Sequence, residues 1–335
     1  MAPAEAMQLA QNTGWSLGKI KLAVGISFLL VTALFGTLFV AKTNPVNIVS
    51  NHIPFSLGTT EQPRFLFAIY GSGMNGGFSK PMEVTVVGNK IYVTDTGNKR
   101  VQVFDRDGNP VKQFGTAGSK AGEFSFPYGI AGDSKGLIYV SDMNNGNVSV
   151  FDSTGRFIRV LVDKNSLNRP GGMYLTGNKL YVTDIAGGKV KVFDLDGKKL
   201  LEIGKPGKGK GELNSPNCVT VAGNRVYVSD SGNDRVQVFD TEGKYISTMG
   251  FEEGNKASMF VNPRGVGVSA GKVFVVSKVT NYVLGMDQNG KKLFTWGGMG
   301  QEDDKFALPN GLFVDSEGRI YIADSVNQRI VVYQN

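Results

Sequence analysis

The 335-residue sequence contains one cysteine, Cys218, and one histidine, His52. A single cysteine excludes an intramolecular disulfide and a haem attached through a cysteine pair. Because His52 lies ahead of the repetitive region that starts near residue 80, a histidine-ligated zinc site within that region is also excluded. Glycine, in contrast, occurs 45 times, and no segment after residue 63 stays free of glycine with helical spacing for long enough to form a helical repeat.

Six copies of one motif occupy the chain from about residue 80 onward. In each copy a proline is followed, about fourteen residues later, by the end of a hydrophobic run that usually closes on aspartate. The six prolines are spaced about 46 residues apart: Pro81, Pro127, Pro170, Pro216, Pro263 and Pro309. A fixed period of this length predicts a propeller or a solenoid.

Each complete copy contains four short runs rich in β-branched and aromatic residues, separated by turn residues. In the first copy these runs are Glu83–Val87, Ile91–Thr94, Val101–Phe104 and Val111–Phe114. Such runs are typical of β-strands. The second run is apolar on both faces, which suits a sheet held between two neighbouring sheets. We therefore predict an all-β, six-bladed β-propeller with four-stranded blades.

The sixth copy stops at its third strand, Ile330–Tyr333. The segment Arg64–Gly71 ends in the same way as the fourth strands of the other copies, with an apolar or aromatic residue before glycine. We expect it to complete blade six and close the ring, because closure removes an unpaired sheet edge.

These residues resemble NHL repeats, most clearly in Asp95-Thr-Gly-Asn-Lys-Arg-Val-Gln-Val-Phe-Asp105. The resemblance covers about four fifths of the chain and implies the propeller fold. For function, the resemblance implies either a module that binds protein or RNA, or a lyase or hydrolase that uses histidine and a metal in the channel. The predicted propeller contains no histidine for the second of these. The recurring aspartate, with arginine five residues later, is interpreted as a framework pair within each blade.

Residues Leu22 to Ala41 carry no charge, and this length suits a membrane-spanning helix. Lys19 and Lys21 precede it, which favours a cytoplasmic N-terminus and an extracytoplasmic propeller, periplasmic or extracellular. A cleaved signal peptide is the alternative. The predicted organisation is a short cytoplasmic segment (1–21), a transmembrane signal anchor (22–41), a linker (42–63) and the propeller (64–335).

The residue after each proline is predicted to lie near the mouth of the central channel, where the framework leaves its identity free. Around the ring these residues are Met82, Tyr128, Gly171, Asn217, Arg264 and Asn310. Because variable loop positions commonly carry function, we expect them to form a binding face, with Tyr128 stacking on a partner and Arg264 contacting an acidic or carbonyl group. The next position is glycine in four copies, but it is Glu83 in the first and Cys218 in the fourth, on opposite sides of the ring.

The fifth copy departs from the framework, with Ser277 in place of aspartate, Lys278 after it and Tyr282 in place of arginine. Lys278 and Tyr282 form a second candidate contact surface.

We predict a monomeric scaffold without cofactor that binds a protein or a small or anionic ligand. The net charge of +7 is too modest to favour nucleic acid as a partner. The alternative is a propeller lyase or hydrolase with its site in the channel, possible calcium ligands being Glu83, Asn217 and Asn310.

Overall fold

The structure is a computed structural model that describes residues 62–72, 76–252, 254 and 257–335. The predicted cytoplasmic segment, the predicted anchor at 22–41 and nearly all of the linker lie outside the described residues. The part of the chain that the structure describes contains no helix that could span a lipid bilayer.

The described residues form six four-stranded antiparallel sheets, arranged as a closed ring of blades. Two single-turn 3-10 helices follow the second strands of blades one and four, at Thr96–Asn98 and Ser231–Asn233. The strands in chain order are β1 (Arg64–Ile69), β2 (Pro81–Val87), β3 (Lys90–Asp95), β4 (Arg100–Asp105), β5 (Pro110–Phe114), β6 (Pro127–Gly132), β7 (Ile138–Asp142), β8 (Asn147–Phe151), β9 (Phe157–Val162), β10 (Pro170–Thr176), β11 (Lys179–Asp184), β12 (Lys189–Phe193), β13 (Lys199–Ile203), β14 (Lys205–Pro206), β15 (Glu212–Leu213), β16 (Pro216–Ala222), β17 (Arg225–Asp230), β18 (Arg235–Asp240), β19 (Tyr245–Met249), β20 (Pro263–Ser269), β21 (Lys272–Ser277), β22 (Tyr282–Asp287), β23 (Lys292–Gly297), β24 (Leu312–Val314), β25 (Arg319–Asp324) and β26 (Arg329–Gln334).

Each blade is a meander of four consecutive strands. Blades one to five are β2–β5, β6–β9, β10–β13, β16–β19 and β20–β23, while β14 and β15 form a small parallel pair between blades three and four. The first strands β2, β6, β10, β16, β20 and β24 contact one another in turn around the central channel, and β24 returns to β2. The prediction of a six-bladed propeller with four-stranded blades is confirmed.

Blade six is completed by the N-terminal strand. Its strand order is β24, β25, β26, β1, and β1 pairs antiparallel with β26 so that Phe65 lies opposite Tyr333 and Ile69 opposite Ile330. This is the pairing that the sequence predicts, and it gives the last strand of the ring a partner on each side.

The core lies between blades, because each central strand is apolar on both faces. In β3, Ile91 and Val93 face blade six, where they pack with residues such as Tyr321. The intervening Tyr92 faces blade two and packs with Ile138. All of these side chains are buried. The alternation of strand side chains therefore buries both faces of a sheet that has a neighbour on each side.

The repeated aspartate and arginine hold the blades together. In blade one the Asp95 carboxylate accepts hydrogen bonds from the Ser79 backbone N–H at 2.7 Å and from Arg100 Nε at 2.7 Å. Equivalent ion pairs join Asp230 to Arg235 and Asp324 to Arg329, both at 2.8 Å. The framework interpretation of these residues is confirmed.

Blade five keeps half of this arrangement. Ser277 Oγ accepts a hydrogen bond from the Val261 backbone N–H at 2.9 Å, which is the backbone contact that aspartate makes in the other blades. The hydroxyl carries no charge to pair with arginine, and the arginine position holds Tyr282, which is 43% exposed. Because blade five lacks the ion pair, the side chain at the arginine position, Tyr282, lies at the surface.

Candidate functional site

The first strands all begin at one side of the ring, which we call the front face. The same side carries the turns between second and third strands and the connections from each blade to the next. Met82, Tyr128, Asn217 and Arg264 are the second residues of β2, β6, β16 and β20, and Asn310 precedes β24 by two residues. The structure thus places all five predicted residues at equivalent positions at the front end of the channel.

Four of these side chains, from four different blades, close the channel by hydrogen bonding to one another. Tyr128 Oη donates to Asn217 Oδ1 at 2.9 Å, and Asn310 Nδ2 donates to Tyr128 Oη at 3.1 Å. Arg264 Nη1 donates to Asn217 Oδ1 and also reaches Tyr128 Oη at 3.4 Å. We call Tyr128, Asn217, Arg264 and Asn310 the channel plug.

The burial of the plug differs from the expectation of an open binding face. Tyr128 is 1% exposed, Asn217 3% and Asn310 0%, and Met82 is buried as well. Tyr128 therefore cannot stack on a partner in this conformation. The physical reason is that the channel is narrow enough for long polar side chains to reach across it and satisfy one another. Only Arg264 remains partly exposed.

Glu83 and Cys218 lie one residue further along β2 and β16 and face the same small cavity, as their opposite positions in the ring predict. The cavity offers about 20 Å³ to the centre of a water molecule, and its lining includes Ile130, Met173 and Leu312 from other blades. That volume holds roughly one water and no organic substrate. A Cβ atom on Gly311 would lie 2.6 Å from Glu83 Oε2, so the glycine of blade six leaves room for the carboxyl group.

Burial controls the chemistry of Glu83. Desolvation raises the pKa of its carboxyl group to about 8, although the positive charge of Arg264 opposes the shift. No hydrogen bond reaches the carboxyl oxygens of Glu83 from within the described ranges. Burial, together with Glu83, also raises the pKa of the Cys218 thiol well above its ordinary value. At neutral pH both groups are therefore largely uncharged.

One of the three possible calcium ligands is already engaged. Asn217 Oδ1 already accepts hydrogen bonds from Tyr128 and from the cationic Arg264, and that charge disfavours a metal ion next to it. Asn310 Oδ1 is buried with no hydrogen-bond partner in the part of the chain that the structure describes. In the same part, no three histidine, cysteine or acidic side chains come close enough together to hold a metal.

A group of cationic side chains lies at the front of the plug. Lys80 Nζ and Lys99 Nζ lie 5.3 and 5.6 Å from the centroid of the Phe126 ring, and that ring stacks on Tyr128 with centroids 6.4 Å apart. Lys278 lies near enough to Lys80 and Arg264 for their charges to act on it. Burial, then Arg264 and Lys80, lowers the pKa of Lys278 to about 8.

We call Lys80, Lys99, Arg264 and Lys278 the mouth cations. Among the described residues none of the four forms an ion pair with a carboxylate, whereas the recurring framework arginines all do. Sequence reasoning identified Arg264 and Lys278 but missed Lys80 and Lys99. The available signal was their position, since Lys80 directly precedes the first-strand proline and Lys99 ends the turn before the third strand.

The two residues of the second predicted surface point to different places. Lys278, in the turn between β21 and β22, joins the mouth cations. Tyr282, at the start of β22, lies farther out, with its ring beside Gly298 of the next connection. Lys278 therefore belongs to the channel mouth, whereas Tyr282 lies on the front edge of blade five.

Family models match parts of the chain. Residues 77–136 and 161–252 match a model described as a 6-bladed beta-propeller. Residues 306–333 match the model of the NHL repeat. Both matches agree with the architecture observed, and the second falls on blade six, which contains the most deeply buried of the three Asp–Arg ion pairs described above.

Solved propellers resemble the chain at low sequence identity. A streptogramin B lyase is 15% identical, with 77% of this chain and 94% of that chain covered and a TM-score of 0.56. An auxiliary nutrient binding protein from Bacteroides thetaiotaomicron is 14% identical, with coverages of 78% and 70% and a TM-score of 0.59. A chain of the nidogen/laminin complex is 20% identical, with coverages of 64% and 79% and a TM-score of 0.54. At these identities the likeness establishes the fold alone.

Proposed function

We propose that this propeller is a binding module whose front face recognises an acidic group on a protein or small ligand. The observation that carries the proposal is the convergence of four mouth cations without a described carboxylate partner. Gathering like charges costs free energy, and the charges of Arg264 and Lys80 add to burial, which is the larger cause, in lowering the pKa of Lys278. A carboxylate or phosphate bound between them would relieve the repulsion and be held by charge-assisted hydrogen bonds.

The cavity supports binding over catalysis. The cavity beside Glu83 has room for about one water, so an organic substrate does not fit next to Glu83 in this conformation. The similar structures include a lyase, a nutrient binding protein and part of a protein complex, so the fold is compatible with both functions. The second candidate is an enzyme that opens the plug and uses Glu83 as a base, because a carboxyl pKa of about 8 suits proton transfer near neutral pH.

The proposal includes attachment to a membrane through residues 22–41, with the propeller on the extracytoplasmic side. The N-terminal segment joins the ring at Arg64, which pairs with Gln334 at the side opposite the front face. An anchored propeller could therefore present its mouth cations away from the bilayer. Protease added to intact spheroplasts should remove the propeller. A C-terminal reporter that is active only in the cytoplasm would contradict this orientation.

Binding can be tested with two simple anionic probes, inorganic phosphate and a short glutamate peptide. The full-length protein in detergent should gain thermal stability with either probe, because ligands that bind only the folded state stabilise it. The double variant Lys80→Glu, Lys278→Glu should lose this gain.

The matched control is Lys135→Glu, Lys179→Glu, which makes the same change in net charge at two exposed lysines on the opposite side of the ring. We expect this control to respond as the wild type does. Equal responses of all three proteins would refute the proposed site. If instead Glu83→Gln abolishes a turnover activity that the mouth variant retains, the enzyme is the correct interpretation.

A further inference from the structure

Exposed apolar side chains are concentrated beside the mouth cations. Among the described residues, twelve large hydrophobic side chains are substantially exposed. Four of them occupy the second position of an outer strand, one in each of blades one to four, and so belong to the repeated framework. Six others lie together on the front face of blades five and six, and we call them the apolar arc: Val261, Val279, Tyr282, Met299, Leu308 and Val326.

Hydrogen bonds donated by backbone N–H groups link the segments that carry the arc. The Val279 N–H donates to the Val261 carbonyl at 3.3 Å, and the Leu308 N–H donates to Asn281 Oδ1, in the same turn as Val279, at 2.7 Å. The Val326 N–H donates to the carbonyl of Ala307, which precedes Leu308, at 3.1 Å. The Gly298 N–H, one residue before Met299, donates to the Asn281 carbonyl at 2.8 Å. The segments that carry the arc therefore lie next to one another across two blades.

The arc also adjoins the mouth cations. The Lys278 N–H donates to the Asn262 carbonyl at 3.3 Å, and Arg264 Nε donates to Asn262 Oδ1 at 2.7 Å. Because Asn262 follows Val261 directly, the apolar surface begins one residue from the atoms that hold Arg264 in place. A ligand that contacts the cations lies next to the arc.

The repeat itself does not require these apolar residues. The turn position that is Val279 in blade five and Val326 in blade six is Gly97 in blade one, Asn144 in blade two and Gly232 in blade four. Contiguous exposed apolar surface is uncommon on proteins that have no partner and typically marks an interaction site.

We propose that the apolar arc and the mouth cations together bind an extended protein segment in which an acidic residue is flanked by large apolar residues. This inference rests on the proposed function and specifies its ligand. The acidic group would lie between the mouth cations, while the flanking side chains cover the arc. Charge complementarity would set the orientation of the bound segment. Burial of its apolar side chains would supply most of the affinity that it gains over an acidic group alone.

The surroundings favour a protein segment over an anionic membrane surface. Three consecutive exposed acids, Glu302, Asp303 and Asp304, lie on the same connection as Met299 and Leu308. A flat anionic bilayer that reached the arc would also approach these carboxylates and be repelled, whereas a narrow peptide can avoid them. The N-terminal segment that carries the predicted anchor leaves from the opposite side of the ring.

The test uses the full-length protein in detergent and two labelled peptides of equal charge, one with glutamates separated by serine and one with glutamates separated by leucine. We expect the leucine peptide to bind about tenfold more tightly, equivalent to about 1.4 kcal/mol. The variant Val279→Ser, Met299→Ser should bind both peptides equally weakly. The control Val111→Ser, Ile158→Ser, which changes two exposed apolar residues of outer strands, should keep the preference.

The outcomes separate the two proposals. If the arc variant keeps the tenfold preference while Lys80→Glu, Lys278→Glu loses both peptides, the inference is overturned and the anion-binding function stands. If the mouth variant binds both peptides normally, the proposed function fails as well. Phosphatidylserine vesicles that bind the wild type but neither the arc variant nor the mouth variant would assign the surface to a membrane and overturn the inference. Unchanged melting temperatures would show that the variants are folded.

Discussion

Replacing Glu83 by glutamine should make the propeller more stable at alkaline pH and change little in mild acid. The carboxyl group has an ordinary pKa of 4.5 in the unfolded chain and a pKa of about 8 in the folded protein, chiefly because it is buried. Between these two values the folded state keeps a proton that the unfolded state has lost. Stability therefore falls as pH rises through this window, and above pH 8 no further loss comes from this group.

The magnitude follows from the width of the window. Each unit of pKa difference corresponds to about 1.4 kcal/mol, so the full effect is on the order of 4–5 kcal/mol if the burial persists when Glu83 ionises. Glutamine has nearly the same shape and carries no charge, so the variant avoids this penalty. For a domain of this size, about 1 kcal/mol corresponds to roughly 2–4 °C in melting temperature. We expect a gain of roughly 10 °C at pH 9 and little change at pH 5.

Differential scanning calorimetry of the wild type and the variant between pH 5 and pH 9 measures this effect directly. The informative quantity is the difference between the two proteins at each pH, because titrating groups that do not interact with Glu83 cancel in it. Glu242→Gln, at an exposed position, serves as the matched control and should show no trend. A difference between wild type and Glu83→Gln that stays constant across the pH range would refute the buried, neutral carboxyl group.

Three further changes test the ring and its mouth. Deleting residues 1–72, which removes β1, should lower the melting temperature far more than deleting residues 1–61, and equal values would contradict closure through β26. Arg329→Met should cost about 3–5 kcal/mol in chemical denaturation, because it leaves the buried Asp324 carboxylate without its cation, and a loss below 1 kcal/mol would contradict that role. Binding of an anionic peptide at pH 8 should be accompanied by proton uptake, because a bound anion raises the lowered pKa of Lys278. Calorimetry in buffers of different ionisation enthalpy measures that uptake, and its absence in the wild type would exclude Lys278 from the site.

The sequence alone determined the architecture of the described region because that architecture depends on local, repeated patterns. The period of the prolines, the turn residues between short apolar runs and the missing fourth strand of blade six were sufficient to predict six blades and their closure. The framework role of the aspartate in pairs such as Asp95 and Arg100 could also be predicted. A residue that recurs in most blades is most simply explained by a contact made within those blades.

The tertiary structure alone decided the state of the channel mouth. The period correctly placed Tyr128, Asn217 and Asn310 at equivalent ring positions, but it could not show that they are buried. Their hydrogen bonds join residues 89 and 182 positions apart along the chain, and they form because the closed ring brings side chains of different blades within reach of one another across the channel. The convergence of Lys80 and Lys278 has the same origin. Sequence spacing fixes which blade carries a side chain, whereas the distance across the ring decides which side chains meet.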